Sequence, residues 1–351
     1  MIIDKFGDVV DKFKETVSFD DVLLVPQYSD IESRSQVSLD CKLGNIALSL
    51  PVISSPMDTV TEDRMSIEIS EHGGVGIIHR YNTIEGQCNI INRAYYAGVH
   101  NVGAAVGMGS DCLERSEAVV KSGANVICID VAHGHHSMME KTLKSLKDKF
   151  GDDVHIMAGN VATLEGFDAL ASWGANSVRV GIGGGSICST RLVSGHGIPT
   201  LQSVLDCSQT EHSDVSIIAD GGIKTTGDMV KALAAGADFV MVGSMLAGTD
   251  ASPGDTFIGK DKKKYKVYRG MASRDAQTDW RGKSSTPEGV STTIPYKGSL
   301  GAVLKDIRGG ICSGLSYTGA RHLDDFRARS RFVRQTTAGS RESHTHILTR
   351  G

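Results

Sequence analysis

The chain has 351 residues, 40% of them hydrophobic and 22% charged, with a formal net charge of −4 and a sequence pI near 6.3. This is globular composition, long for an ordinary domain and normal for one α/β barrel. No basic stripe supports nucleic-acid or anionic-membrane binding. No apolar run approaches the roughly 18 residues of a bilayer span, and the charged start lacks the apolar centre of a signal peptide, so a soluble, cytoplasmic protein is expected.

Residues 1–50 read as a lead-in of short elements, with an apolar run after Asp20 closed by Pro26. From Pro51 onward, β-branched runs of strand length alternate with amphipathic stretches. The runs start at Val52, Val75, Val102, Val126, His155, Ser177, Ser216 and Phe239. Helical stretches such as 112–122, 137–149, 164–173 and 226–235 lie between them. Eight such units predict a single-domain α/β fold, a (β/α)8 TIM barrel over 51–330. An open doubly wound sheet is the alternative. Against it, no GxGxxG joins the first strand to the first helix. Residues 250–295 break the rhythm. Within them 272–293, rich in Gly, Ser, Thr and charge, reads as a mobile lid, a catalytic flap inserted into the barrel. A polar tail, 331–351, follows.

A barrel does its chemistry at the C-terminal ends of its strands. Here those ends are polar or glycine-rich: Ser54 to Thr59, His79 to Tyr81, Asp130 to His136, Gly159-Asn160, Asp220 to Gly222, and Gly243-Ser244. The loops after the last two strands often hold a phosphate. Gly221, Gly222, Gly243 and Ser244 offer N–H donors there, and Ser186 offers a hydroxyl. Asp220 is placed to accept hydrogen bonds from a ribose. The pattern points to a nucleotide.

The sixth strand runs into Gly181-Ile-Gly-Gly-Gly-Ser-Ile-Cys-Ser-Thr-Arg191. Four glycines in five residues let the backbone turn tightly and approach a ligand. Cys188 stands at the end of the turn among Ser186, Ser189 and Thr190, where a thiolate would be a strong nucleophile. The chain has seven cysteines, with no CxxC pair, so neither a disulfide framework nor a zinc site is expected.

These stretches, with Asp20–Pro26, Ser54–Val60, Ala219–Gly222, Gly243–Gly248, Tyr268–Met271, Pro287–Gly289 and Arg341–His344, resemble the IMP dehydrogenase/GMP reductase family in order and over nearly the whole length. The resemblance implies a barrel oxidoreductase of purine nucleoside monophosphates. Cys188 would attack C2 of the purine, and hydride would pass between C2 and a nicotinamide cofactor. It assigns Ser55, Ser186, Asp220, Gly221, Gly222, Gly243, Ser244, Tyr268, Gly270 and Met271 to the nucleotide. Asp130, Ala132, His133, Asn160 and Gly181 fall to the cofactor. Thr190 and Glu288 are assigned to proton transfer. The carbonyls of Gly183, Gly185 and Cys188 match a potassium site, and the tail from Glu342 to His344 matches a segment that a neighbouring subunit lends to it. A homo-oligomer, a tetramer in most members, is therefore implied.

The departures from the family pattern choose between its two activities. Only about twenty residues, Tyr81 to Asn101, stand where dehydrogenases usually carry a regulatory CBS pair. The flap lacks the Arg-Tyr pair whose arginine activates water in the dehydrogenase; it has Trp280-Arg281 instead. Both features favour the reductase, which turns GMP and NADPH into IMP, ammonia and NADP+. Arg274, where reductases have glutamate, the Glu342–His344 tail and the wording of Gly301–Gly319 lean the other way. An NAD-dependent, potassium-stimulated IMP dehydrogenase with Arg281 or Arg274 as its base is the alternative. A nucleotide-binding protein with little turnover is the third reading.

Overall fold

The computed structural model describes Ile2–Ile3, Val9–Val10 and residues 14–343. Eight parallel strands close into a barrel: β1 Val52–Ser54, β2 Val75–Ile78, β3 Val102–Val106, β4 Val126–Asp130, β5 His155–Val161, β6 Ser177–Val180, β7 Ser216–Asp220 and β8 Phe239–Val242. The last pairs with the first through Val240 and Val52, so no edge remains. The (β/α)8 expectation holds at every strand. Helices α1 Asp63–Glu71, α2 Ile84–Tyr96, α3 Cys112–Lys121, α4 Ser137–Phe150, α5 Leu164–Ser172, α6 Thr200–Cys207 and α7 Thr226–Ala234 follow their strands around the outside.

Local chemistry sets these boundaries. The hydroxyls of Thr83, Thr163 and Thr225 each accept from a backbone N–H in the first turn of α2, α5 and α7, and Asp228 closes a capping box with Thr225. Strand residues facing outward, among them Ile127, Ile129, Val178 and Val180, bury against Leu143, Phe167, Leu170 and Leu201 of the helices. Each such side chain contributes about 1.5–3 kcal/mol.

The inside of the barrel is filled by Ile53, Ile77, Cys128, Met157, Ile218 and Met241. A hairpin from the lead-in, Cys41–Leu43 with Ile46–Leu48, adds Leu43, Ile46 and Leu48 to that cluster and stops the N-terminal end. The lead-in is further tied down by Val22–Leu24, which pairs antiparallel with Phe332–Arg334.

The segment 272–293 contains α8, Arg274–Arg281, whose N-cap Ser273 accepts from the Ala276 N–H and whose C-cap Gly282 is left-handed. Its last residues enter strand Ser291–Pro295. That strand pairs with Lys264–Arg269, which pairs in turn with Phe257–Ile258. Helix α9, Leu300–Ser316, then packs beside α7 and α1 and completes the outer ring. Residues 344–351 of the expected tail lie outside the described residues.

Candidate active site

A cavity of about 490 Å3 opens at the C-terminal ends of the strands. The cysteine loop forms one wall. It is drawn tight by the Cys188 N–H donating to Gly185 O at 3.1 Å and by a bridge between Ile182 and Ile198. Gly181, with φ of +143°, lies so close to β7 that a Cβ would fall 2.0 Å from Asp220 O. No other residue fits there.

The Cys188 thiol lines the cavity and donates to Thr190 Oγ1 at 3.2 Å. Burial pushes the thiols of Cys41, Cys128 and Cys207 up to about 12 and raises those of Cys112 and Cys312, which marks them as inert.

Glu288 is carried to this loop by the backbone. The Ser189 N–H donates to Glu288 O at 2.9 Å, the Val290 N–H to Ile187 O at 3.0 Å, and the Glu288 N–H to Ala272 O at 3.1 Å. The flap is held to the barrel by side chains. Asp58, in the loop after β1, accepts from Arg269 Nη2 at 2.6 Å, Arg269 Nε at 3.0 Å and Trp280 Nε1 at 2.9 Å, all at Oδ2. Arg269 also pairs with Asp279. Gln277, almost fully buried, donates to Ala272 O and accepts from the Ser285 N–H at 2.8 Å. The docked helix sets Arg281 in the cavity lining, whereas Arg274 is exposed and outside it.

Hydroxyls gather at the other end. Tyr268 Oη lies 3.4 Å from Ser186 Oγ, and its burial raises its pKa. A Cβ on Gly243 would fall 3.2 Å from Tyr268 Oη and 3.4 Å from Ser55 Oγ, so a side chain here would crowd both hydroxyls. Behind it, Lys297 Nζ donates to Ser244 O and Met245 O.

Between the two ends lies a charged layer inside the barrel. Arg179 on β6 donates through Nη1 to Asp130 Oδ1 at 2.6 Å and through Nη2 to Asp220 Oδ2 at 2.8 Å. Burial opposes the charge on Arg179. The facing Asp220, with Cys128 and Asp130, more than offsets this and holds its pKa well above the ordinary range. Asn160 Nδ2 donates to Gly181 O at 2.8 Å and to Asp220 Oδ2 at 2.9 Å, while its buried Oδ1 has no partner among the described residues.

The four expected catalytic residues and the ten expected nucleotide residues all line this one cavity. So do Asp130, Ala132, Asn160 and Gly181; His133 is exposed and outside the lining. Arg179 and Gln277 also line it and are not among the expected residues, and Arg80 and Tyr81 line it from a strand end that the sequence marks as polar without giving either a role. Arginine at an inward position of a strand was the available signal for Arg179, since a buried charge needs partners.

The sequence model of the IMP dehydrogenase / GMP reductase domain matches residues 16–346. The chain belongs to the IMP dehydrogenase/GMP reductase family. Its members are NAD(P)-dependent oxidoreductases of purine nucleotides. An inosine-5′-monophosphate dehydrogenase of Cryptosporidium parvum is 38% identical over 384 aligned positions, covering 94% of each chain. A GMP reductase of Leishmania major is 32% identical over 481 positions, covering 96% of this chain and 98% of the relative. Among solved structures, a GMP reductase of Trypanosoma brucei, a variant with one cysteine replaced by alanine and in complex with guanosine 5′-monophosphate, matches with a TM-score of 0.89 at 30% identity. That match covers 95% of this chain and 98% of the other.

The alignment lengths remove one argument from the sequence. Against the 351 residues here, well over a hundred positions of the L. major reductase face a gap, whereas the C. parvum dehydrogenase aligns over little more than this chain's length. A short chain therefore does not mark the reductase within this family.

Two groups implied by the family can be weighed against the residues. The unpartnered Asn160 Oδ1 beside Asp130 is an acceptor suited to a carboxamide N–H, so a nicotinamide fits. Potassium does not fit one chain alone. Three carbonyls are too few for a hard cation, Gly185 O already accepts from Cys188, and the Arg191 guanidinium lies against the same loop, donating to Ile198 O at 2.7 Å. Among the described residues no cluster of three or more His, Cys, Asp or Glu could hold a metal, and no helix is long and apolar enough to cross a membrane.

Proposed function

We propose that the protein is a GMP reductase: GMP, NADPH and a proton give IMP, ammonia and NADP+. The observation that carries this reading is the flap. It is a two-turn helix docked on Asp58 through Trp280, followed by a short return to Glu288, and no tyrosine stands between Tyr268 and Tyr296. The water-activating Arg-Tyr pair of the dehydrogenase has no counterpart in it.

In the proposed reaction Ser55, Ser186, Gly221, Gly222, Gly243, Ser244 and Tyr268 bind the 5′-phosphate, Asp220 the ribose, and Gly270 and Met271 the base. The Cys188 thiolate adds to C2, and the C2–N bond breaks. Thr190, hydrogen-bonded to that thiol, and Glu288 deliver the proton on which ammonia leaves. NADPH, when bound along Asp130, Ala132, Asn160 and Gly181, supplies hydride to C2. The C–S bond then breaks and the thiolate returns to Cys188.

One observation favours the dehydrogenase reading: Arg281 lies on the flap and lines the cavity. Incubation with GMP and NADPH, and separately with IMP, NAD and potassium, decides between them. Loss of the reduced-nicotinamide band with release of ammonia is expected in the first. Formation of xanthosine monophosphate in the second would overturn the reductase. Arg281→Ala is expected to keep GMP reduction within about tenfold, whereas loss of a general base costs about 10²–10⁴-fold.

The reading extends to a cytoplasmic homo-oligomer, a tetramer. Phe257, Ile258 and Val267, exposed on the sheet beside the flap, support an interface. Light scattering on the purified chain tests this.

A further inference from the structure

We propose that Arg179 is a positioning residue that couples the nucleotide site to the cofactor site: one guanidinium holds Asp220 and Asp130 in their binding orientations. The inference rests on the assignment of those two carboxylates under the proposed function.

The geometry is that of a shared brace. Arg179 comes from the middle of β6 and points into the barrel, with its side chain 7% exposed. Its Nε, at 3.2 Å, and Nη2, at 2.8 Å, both donate to Asp220 Oδ2, which also accepts from Asn160 Nδ2 at 2.9 Å. Three donors saturate that oxygen and fix the carboxylate plane, so Oδ1 is the oxygen left for a ribose. On its other side, Arg179 Nη1 donates to Asp130 Oδ1 at 2.6 Å, and among the described residues Asp130 Oδ2 has only the more distant Arg80 Nε, at 3.9 Å, as an ion-pair partner. Each carboxylate thus spends one oxygen on Arg179 and offers the other to the cavity.

A planar fork with five donors can do this; a lysine, with one point of charge, cannot serve both sides at these distances. If Asp130 loses its charge, the guanidinium is released towards Asp220, and the ribose carboxylate turns with it. Binding at one site then depends on the state of the other, and the dependence is reciprocal.

The test is calorimetric titration of the full chain with GMP, with no cofactor present, on the native protein and on Asp220→Asn, Asp130→Asn, Arg179→Lys and the Asp130→Asn/Arg179→Lys pair. Asp220→Asn is expected to weaken GMP binding about tenfold or more. Should it leave GMP affinity unchanged, the assignment of the nucleotide site fails. Asp130→Asn, on the cofactor side, is expected to weaken GMP binding about three- to tenfold, and to add nothing once Arg179 is lysine. A full-size Asp130→Asn effect in the lysine background would show that Asp130 acts on GMP without Arg179 and would overturn the inference. Direct loss in Asp220→Asn with no effect of Asp130→Asn would overturn it as well. If Arg179→Lys does not fold, as judged by circular dichroism, the Asp130→Asn effect on GMP decides alone. A purely structural Arg179 would lower the thermal midpoint without making GMP affinity depend on Asp130.

Discussion

The two ends of this barrel are built on opposite plans. At the N-terminal end the hairpin 41–48 inserts Leu43, Ile46 and Leu48 among Ile53, Ile77 and Phe239, and apart from the buried His155–Ser177 pair the space is filled with apolar side chains. At the C-terminal end the same strands finish in glycines and polar side chains around an open cavity, floored by the Asp130–Arg179–Asp220 layer. The contrast is sharp along β6: Ser177 and Arg179 both face inward, the first bonded to His155 and the second to the two aspartates. Inside the barrel, apolar burial is concentrated at one end and chemistry at the other, where some burial is given up for charge and access. The comparison predicts that substitutions at the two ends separate activity from stability.

The largest effect tests the upper end alone. Cys188→Ala is expected to lower turnover by about 10⁴-fold or more, with GMP affinity by calorimetry within about threefold of the native protein and an unchanged melting midpoint. A variant that keeps more than about one percent of the rate would remove Cys188 from the chemistry. The mirror image is Leu43→Ala, fully buried in the plug. It is expected to cost about 2–5 kcal/mol in urea unfolding, with kcat at 25 °C within about twofold. A large fall in kcat there would break the comparison, because it would mean that the plug shapes the mouth.

The separation of the two ends also explains what could be read from the sequence. All eight barrel strands were legible, since β-branched runs at regular spacing have few other uses, and so was the cavity wall made of strand ends. Arg179 is not legible in this way, because in Ser177-Val-Arg-Val180 the alternation is only a strand signal, while the partners that make a buried arginine tolerable, Asp130 and Asp220, come from strands far away in sequence. Asp58 was similarly opaque. It lies in the Ser54–Val60 stretch, yet its function as the anchor of Trp280, more than two hundred residues later, depends on the flap being folded down upon it. Local patterns report elements; ion pairs between distant strand ends appear only when the barrel closes.

His155 probes the lower end by pH. Burial, with Lys147 nearby, lowers its pKa from 6.5 to about 4, and its Nε2 lies 2.8 Å from Ser177 Oγ. The folded state therefore favours neutral imidazole. Its contribution is fully present above pH 6.5 and is lost as pH falls towards 4, because the unfolded chain takes up the proton first. The shift amounts to about 3 kcal/mol at pH 4. His155→Asn should flatten the decline: the difference in unfolding free energy between native and variant is expected to move by about that amount between pH 7 and pH 4, in favour of the variant. An unchanged difference would mean that His155 is protonated inside the barrel, and that the lower end tolerates charge as the upper one does.

The smallest effect is the one that bears on which reaction the upper end performs. Trp280→Phe keeps an aromatic ring near His79, 6.2 Å away, and removes the indole N–H that Asp58 accepts. Arg269 still satisfies Asp58, so folding is expected to change by less than about 1 kcal/mol. If the flap must remain docked during turnover, as a reductase whose Glu288 is delivered by that segment requires, releasing one anchor should lower kcat by about threefold to tenfold while GMP affinity stays constant. If the flap must instead leave its seat between hydride transfer and a hydrolytic step, weakening the anchor should leave kcat unchanged or raise it. The direction of the change in kcat thus reports whether the Asp58–Trp280 contact serves the catalytic state or competes with it, and a rise in kcat would count against the reductase reading.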